Sequence, residues 1–331
     1  MSILQLLKNK NNERFSFSIE LIPPRRGMNL DNLLGLIEEV VPFRPLWVDV
    51  TSHSADVNYL ENEDGSYKRR VWKKSPGTFG ICAALKFKYG LEVVPHLLCA
   101  GFSKEETEDS LIDLNFLGIT DVLALRGDKN YERAVTKDRT VNLYASDLVK
   151  QIVSMNEGKY LHSEGGAATK FSIGVACYPE KHLESPNLDY DLKHLKLKQD
   201  LGAGYAITQM FFDNSTFYNF VEKARGAGII IPIIPGIKII SSHKQITSLP
   251  KAFNLSLPLN LTSKIDQAKA SGAGTESKIE SKIESKTESE VGVEWAYDQC
   301  IDLIKNGCKH IHFYVTQTAE PLVALLKRIY I

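Results

Sequence analysis

Val93-Val-Pro-His-Leu-Leu-Cys99 is a short β-rich run, Ser103-Lys-Glu-Glu106 opens a helix, and Gly118 closes it just before a second run, Asp121-Val-Leu-Ala-Leu125. The serine and the glutamate three residues on form a capping box, and glycine is a preferred residue just past a helix end. A strand, a helix and a strand in that order make one parallel unit. The pattern extends in both directions. Upstream, strands are predicted over residues 15–21 and 47–51, with helices over 30–41 and 75–89. Phe15, Phe17 and Ile19 alternate there with Ser16, Ser18 and Glu20. Downstream, strands are predicted over 171–177, 205–210, 229–235 and 310–315, with helices over 144–155, 188–201, 216–225 and 321–330. The apolar run 229–235 suits a strand buried on both faces. Eight strand–helix units predict an α/β fold, a (β/α)8 TIM barrel forming one catalytic domain over 1–331. A doubly wound open sheet is the alternative, but it should carry a GxGxxG turn after a strand. Gly202-Ala-Gly204 lacks the third glycine and precedes a strand.

The chain has 331 residues, 43% of them hydrophobic, enough for a sizeable core. Forty basic and forty acidic side chains balance to a formal net charge of zero, so charge gives no reason to expect a nucleic-acid or membrane partner. Small-molecule substrates are expected instead. Five cysteines form no CxxC pair, and Cys82, Cys99 and Cys177 lie in apolar surroundings, as core fillers do. The first ten residues do not read as a signal peptide, and no apolar window approaches the roughly 18 residues of a membrane span. The expected location is the cytoplasm. Residues 263–290 are rich in Ser, Lys, Glu and Gly, with a four-residue repeat from Glu276, and read as a solvated low-complexity insertion. Residues 156–170 read as a surface loop.

In such a barrel the polar residues at the carboxyl ends of strands are the catalytic candidates. They are Glu20, Thr51, His96, the Arg126-Gly127-Asp128 turn, Tyr178 to Glu180, Thr208-Gln209, Pro235-Gly236, and Thr316 with Gln317. Glu20 stands out, because a carboxyl between Ile19 and Leu21-Ile22 is desolvated and tends to stay protonated, as a general acid must. Gly127 lets backbone approach a ligand closely, and His182 lies in a loop suited to binding. His96, His182, Asp128 and Glu20 together also admit a metal-dependent hydrolase. No HxH or HExxH supports it, and no metal is expected.

These segments resemble methylenetetrahydrofolate reductase. The resemblance rests on Phe17-Ser-Ile-Glu-Leu-Ile-Pro-Pro-Arg25, Val50-Thr51, Pro95-His96-Leu97 and Gly118 through Leu125-Arg-Gly-Asp128. It continues in Tyr144-Ala-Ser-Asp-Leu148, Ala176-Cys-Tyr-Pro-Glu-Lys-His182, Leu195-Lys-Leu-Lys198, Gly202-Ala203, Ala206-Ile-Thr-Gln-Met-Phe-Phe-Asp213, Ile234-Pro-Gly-Ile237 and His310-Ile-His-Phe-Tyr314. The match runs in order through all eight predicted strands. It implies FAD as cofactor, NADH or NADPH as reductant, and ping-pong reduction of 5,10-methylenetetrahydrofolate to 5-methyltetrahydrofolate for methionine synthesis. It also implies that Glu20 is the general acid, that Asp128 stabilises the substrate cation beside the flavin, and that Gln209 contacts folate. It further implies that Thr51, His96, Arg126, Gly127, Tyr144, Ala145, Tyr178, His182, Asp191 and Lys198 contact FAD, with Arg126 and Lys198 suited to the pyrophosphate.

Some positions depart from the family pattern. Val315-Thr-Gln-Thr318 stands where the family carries Thr-Leu-Asn-Arg, so the folate-binding arginine is replaced by Thr318. His243, His194 and Leu197 replace the usual Phe, Asn and Arg. These departures leave room for a paralogue that binds flavin or folate without turnover. A homo-oligomer is expected from the resemblance, and the long regulatory region of eukaryotic members, with its adenosylmethionine inhibition, is not expected.

Overall fold

The computed structural model describes residues 2–9, 15–73, 75–127, 140–272, 286–315 and 318–330. Its frame is a ring of parallel strands: β1 Ser16–Leu21, β2 Val48–Val50, β3 Val93–Leu98, β4 Asp121–Leu125, β5 Ser172–Cys177, β6 Tyr205–Thr208, the two short pairings Ile233–Ile234 and Gly236–Ile237 that make up β7, and β8 His310–Tyr314. Sheet order follows chain order, and β8 returns to pair with β1. Ile233–Ile234 pairs with β6 and Gly236–Ile237 with β8, so β7 closes the ring on itself. This is the (β/α)8 barrel that the alternation predicts.

The helices are α1 Ile3–Asn9, α2 Asp31–Val40, α3 Thr78–Tyr89, α4 Lys104–Phe116, α5 Ala145–Asn156, α6 Leu188–Asp200, α7 Asn214–Gly226, α8 Gln245–Phe253, α9 Leu259–Gly272, α10 Glu288–Lys305 and α11 Glu320–Ile329. The capping box before α4 is formed: Ser103 Oγ accepts from the Glu106 N–H, and Glu106 accepts from the Ser103 N–H at 2.8 Å. Among the described residues no helix is long and apolar enough to cross a membrane.

Side-chain alternation divides the barrel into two compartments. Phe17, Ile19, Val48, Val50, Val93, Leu97, Val122, Ala124, Ile311 and Phe313 face outward into the core shared with the helices. The inward set is different. Trp47, Val94, Leu123, Tyr205, Ile207 and Ile234 form an apolar plug with Ile3 from α1. Helix α1 seals the amino-terminal end of the barrel: Ile3 is fully buried, and its N–H donates to Asp121 Oδ1 at 2.8 Å.

The seventh strand differs from its sequence reading. Residues 229–231 lie outside the sheet ladder, Pro232 joins it only through its carbonyl, which accepts from the Ala206 N–H at 2.8 Å, and Ile230 is 81% exposed. Pro232 and Pro235 have no N–H to donate, so a continuous ladder cannot form. Side chains satisfy the backbone instead. Gln199 Oε1 accepts from the N–H groups of Ile230 and Ile231, and Arg225 Nη1 donates to the carbonyls of Ile229 and Ile231. The stretch between β2 and α3 holds an antiparallel hairpin, Asp56–Glu61 with Tyr67–Trp72, turning at Asp64-Gly65. The 156–170 loop holds a small two-residue pairing, Lys159–Tyr160 with Ser163–Glu164.

Part of the low-complexity stretch is structural. Residues 263–272 complete α9, whose Leu261 and Ile265 are fully buried. They join Met210, Phe212, Ile240, Leu249, Leu255 and Val291 in a satellite core. Residues 273–285, with most of the repeat, lie outside the described residues. Helix α10 packs so closely that a Cβ on Gly292 would overlap the Ile240 carbonyl. Gly292→Ala should therefore destabilise the chain by about 1–3 kcal/mol in chemical denaturation. A variant as stable as the parent would contradict that close approach.

Candidate active site at the carboxyl ends of the strands

Parallel pairing of β1 with β8 sets Ser16 opposite His310, Ser18 opposite His312 and Glu20 opposite Tyr314. All six lie on the inward face. One side of the barrel interior is therefore a polar column, and the other is the apolar plug. Ser16 Oγ meets His310 Nδ1 at 2.9 Å, and Ser18 Oγ meets His310 Nε2 at 3.0 Å and His312 Nδ1 at 2.8 Å. Asp49 of β2 enters this column fully buried. Trp47 Nε1 donates to its Oδ2 at 2.6 Å, and His312 Nδ1 lies 3.7 Å from the same oxygen.

His96 connects the column to the mouth. Its Nε2 lies 3.5 Å from Asp49 Oδ1 and 3.6 Å from Glu20 Oε2. Burial pushes the Glu20 carboxyl up to about 7, against the pull of His96 and Lys238 and with the added push of Asp49. Burial also works against charge on His96, but the nearby carboxyl groups of Asp49 and Glu20 outweigh it, and its pKa is raised. Lys238, just past β7, is held down to about 8 by burial and donates to the Tyr314 carbonyl at 3.0 Å. Tyr314 Oη donates to the Thr208 carbonyl at 2.6 Å. The result is an acid at the barrel mouth that keeps its proton near neutral pH.

A second group gathers past β4 and β5. Arg126 Nη1 pairs with Glu184 Oε2 at 2.7 Å. Asp191 of α6 accepts from the His182 N–H at 2.7 Å and from the Ser185 hydroxyl. The Tyr178 and His182 rings meet edge to face at 4.6 Å. Burial and the Arg126 charge lower the His182 pKa. Lys198 donates to the Ala176 carbonyl at 2.7 Å, and burial lowers its pKa. Gly127 has φ +81°, and a Cβ there would meet Ala100 Cβ at 2.9 Å. Leu143, Tyr144, Leu183 and Leu197, on the segments that carry this group, are large apolar side chains left exposed. Tyr144 and Ala145 begin α5, where Asp147 accepts from the Tyr144 N–H at 2.9 Å. The basic pair, the glycine turn and the exposed apolar side chains suit a ligand with both phosphate and ring portions.

The remaining predicted residues fall around the same end. Thr51 directly follows β2, and its carbonyl accepts from the Thr78 hydroxyl at 2.9 Å. Gln209 follows β6, with Oε1 accepting from the Met210 N–H at 2.9 Å. Asp128, Thr316 and Gln317 lie outside the described residues. Thr318 is exposed and shares a cleft with Lys238, Ser241 and Tyr314. His243 contacts Asp266 Oδ1 at 2.8 Å, His194 meets Tyr190 edge to face at 4.5 Å, and Leu197 is exposed. His96 and His182 have different carboxylate partners, Glu20 and Asp49 for the first and Asp191 for the second. Among the described residues no group of three or more His, Cys, Asp or Glu is arranged to hold a metal.

Sequence reasoning missed Asp49, Lys238, His310 and His312. Strand parity was the available signal: Asp49 lies between Val48 and Val50, so it faces away from the outer core. Lys238 is a single charge inside Ile237-Lys-Ile-Ile240.

Fold and site together define a (β/α)8 barrel with a protonatable carboxyl at its carboxyl-end mouth, beside a basic and apolar ledge. The family pattern of methylenetetrahydrofolate reductase matches residues 5–330, and the chain belongs to that family. It is 31% identical over 312 residues to 5,10-methylenetetrahydrofolate reductase of Pectobacterium carotovorum, covering 94% of this chain and 89% of that one. Against 5,10-methylenetetrahydrofolate reductase of Escherichia coli it is 30% identical, covering 94% and 90%. Methylenetetrahydrofolate reductase 1 of Schizosaccharomyces pombe is 29% identical, and the match covers 96% of this chain but 46% of that one. The chain thus spans about half the length of the fission-yeast relative. Among solved structures, an uncharacterised protein from Clostridium thermocellum that binds two copies of 5-methyl-5,6,7,8-tetrahydrofolic acid superposes with TM-score 0.55 at 13% identity, covering 98% of each chain. At that identity the likeness shows the fold.

The raised Glu20 pKa has a consequence for stability. The unfolded carboxyl ionises near 4.5 and the folded one near 7, so the folded state binds more protons between those values. Stability therefore falls as pH rises through that window. Glu20→Gln removes this loss. Its stability relative to the parent should climb from pH 4.5 to pH 7 by up to about 3 kcal/mol, less for the 19% exposure of the side chain. Urea denaturation at several pH values checks this, and a pH-independent difference would count against a protonated Glu20.

Proposed function

We propose that this chain is an FAD-dependent reductase that converts 5,10-methylenetetrahydrofolate to 5-methyltetrahydrofolate with NADH or NADPH, by a ping-pong scheme serving methionine synthesis. The observation that carries this reading is Glu20, a carboxyl held protonated near neutrality at the barrel mouth in a chain of this family. Five free cysteines, four of them buried, fit a cytoplasmic enzyme. A homo-oligomer is part of the proposal.

Each residue has a role in this scheme. Glu20 delivers its proton to the ring nitrogen of the substrate whose bond to the bridging carbon breaks, which opens the five-membered ring to an iminium. Asp128 stabilises that cation electrostatically. Gln209, with its oxygen engaged by Met210, presents its amide nitrogen to a pterin edge. Arg126 and Lys198 hold the FAD pyrophosphate, and Gly127 lets the backbone approach the cofactor. Thr51, His96, Tyr144, Ala145, Tyr178, His182 and Asp191 complete the cofactor surface. A bound flavin supplies the hydride, and its chemistry is tuned by these surroundings. Lys238 places a cation beside Thr318, where the family pattern has an arginine.

The replacement at Thr318 favours a second reading, a paralogue that binds flavin or folate without turnover. An anaerobic absorbance titration separates the two. Reduction by NADH or NADPH should bleach a flavin band, and methylenetetrahydrofolate should restore it. Bleaching without return supports the paralogue, and no flavin band after FAD is supplied sinks the reductase. In Glu20→Gln the bleaching should survive while the return slows by about 100-fold or more. Equal rates in variant and parent would remove Glu20 from the acid role.

A further inference from the structure

On the inward face His96 lies between the deep carboxylate of Asp49 and the mouth carboxyl of Glu20. Its Nε2 is nearly equidistant from the two, at 3.5 and 3.6 Å. A fully buried carboxylate needs a charged partner, because desolvating an unpaired charge is costly. Asp49 has a choice of two imidazoles. His312 is a poor candidate: burial drives its pKa down to about 4, and its Nδ1 is already engaged by the Ser18 hydroxyl at 2.8 Å. His310 lies further back between two serine hydroxyls, and its pKa is lowered well below the usual value by burial and His312. His96 is left as the imidazole that carries the proton.

We propose that Asp49 is a positioning residue of this site, which holds a proton on His96 so that His96 can resupply Glu20 after each proton donation. This rests on the reductase reading of Glu20. The proton balance is simple. Glu20 gives its proton to the substrate nitrogen and becomes a carboxylate. The His96 Nε2–H bond then breaks, an O–H bond forms on Glu20, and His96 becomes neutral. Solvent later restores the proton to His96. No electron transfer is involved. Once ligands cover the mouth, this buried store spares Glu20 from waiting on bulk water.

The groups facing the array are few. Lys238, just past β7, faces Glu20, and Tyr314 from β8 faces both Glu20 and Asp49. His312 from β8 and Tyr205 from β6 face Asp49, whose charge also reaches Cys82 of α3 in the outer core. The cysteine and tyrosine pKa values are all raised, so these groups stay neutral at working pH. Lys238, at about 8, titrates within the range scanned below, in parent and Asp49→Asn alike, so the difference between their alkaline limbs is what is read.

Asp49→Asn keeps the shape and removes the negative charge. Both His96 and Glu20 then bind protons less tightly. The folate half-reaction, followed as reoxidation of pre-reduced flavin between about pH 5 and about pH 9, should lose its alkaline limb at a pH lower by about one unit or more. A merely structural role would depress the melting temperature and both half-reactions together, without moving that limb, and would overturn the proposal. A second measurement uses the unaltered chain with FAD added. Nitrogen-15 NMR of labelled histidines, with His96 assigned by the signal lost in His96→Gln, should show His96 protonated at pH 7 and deprotonated there in Asp49→Asn. A neutral His96 at pH 7 in the parent would refute the proposal even if Asp49→Asn fails to fold. Absence of the folate half-reaction in the parent sinks the reductase reading instead, and the NMR titration still decides whether Asp49 holds the proton on His96.

Discussion

The parallel register between the first and last strands governs everything at this site. By setting Ser18 against His312 and Glu20 against Tyr314, it closes the barrel and lines one side of its interior with polar groups. A slip of one residue would turn Phe17 and Ile19 inward and send Glu20 into the helix layer, since strand side chains alternate with period two. The outer core of aromatic and aliphatic residues against the helices forbids that slip. Packing on the outside of the barrel thus fixes chemistry on the inside.

The interior is divided for a physical reason. Trp47, Leu123, Tyr205, Ile207 and Ile234 fill the lower barrel with apolar volume, and α1 caps it. That plug keeps water from the base of the polar column. The column, Ser16, His310, Ser18, His312 and Asp49, satisfies much of its hydrogen bonding within itself. Low polarity around it raises the cost of charge on Glu20, which is what keeps the acid protonated. The apolar plug and the acid are therefore two consequences of one packing arrangement.

Much of this was legible from residues alone. Strict alternation in Phe15 to Leu21, the Ser103–Glu106 cap and the glycine stops placed the strands and helices, and Glu20 was visible as a carboxyl in an apolar strand. Two kinds of feature were not. The 229–235 run looked like a buried strand because hydrophobicity says nothing about Pro232 and Pro235 breaking the ladder. The hairpin turning at Asp64-Gly65 was not read, because its strands carry too many charges to read as β. Asp49 and Lys238 were missed because each is one polar residue in a short apolar run, and His310 and His312 because they alternate with Ile311 and Phe313 in a strand whose neighbours are distant in sequence. Their meaning depends on which residues meet across a closed barrel, which no local window contains.

Infrared difference spectroscopy, parent minus Glu20→Gln, tests the central claim most directly. A protonated carboxyl has a C=O stretch that its carboxylate lacks, and the amide of the variant contributes neither band. The account predicts that the protonated-carboxyl band persists above pH 6 and disappears around the Glu20 pKa of about 7. Loss of the band by pH 5, near the ordinary glutamate value, would mean that the barrel does not hold Glu20 as an acid.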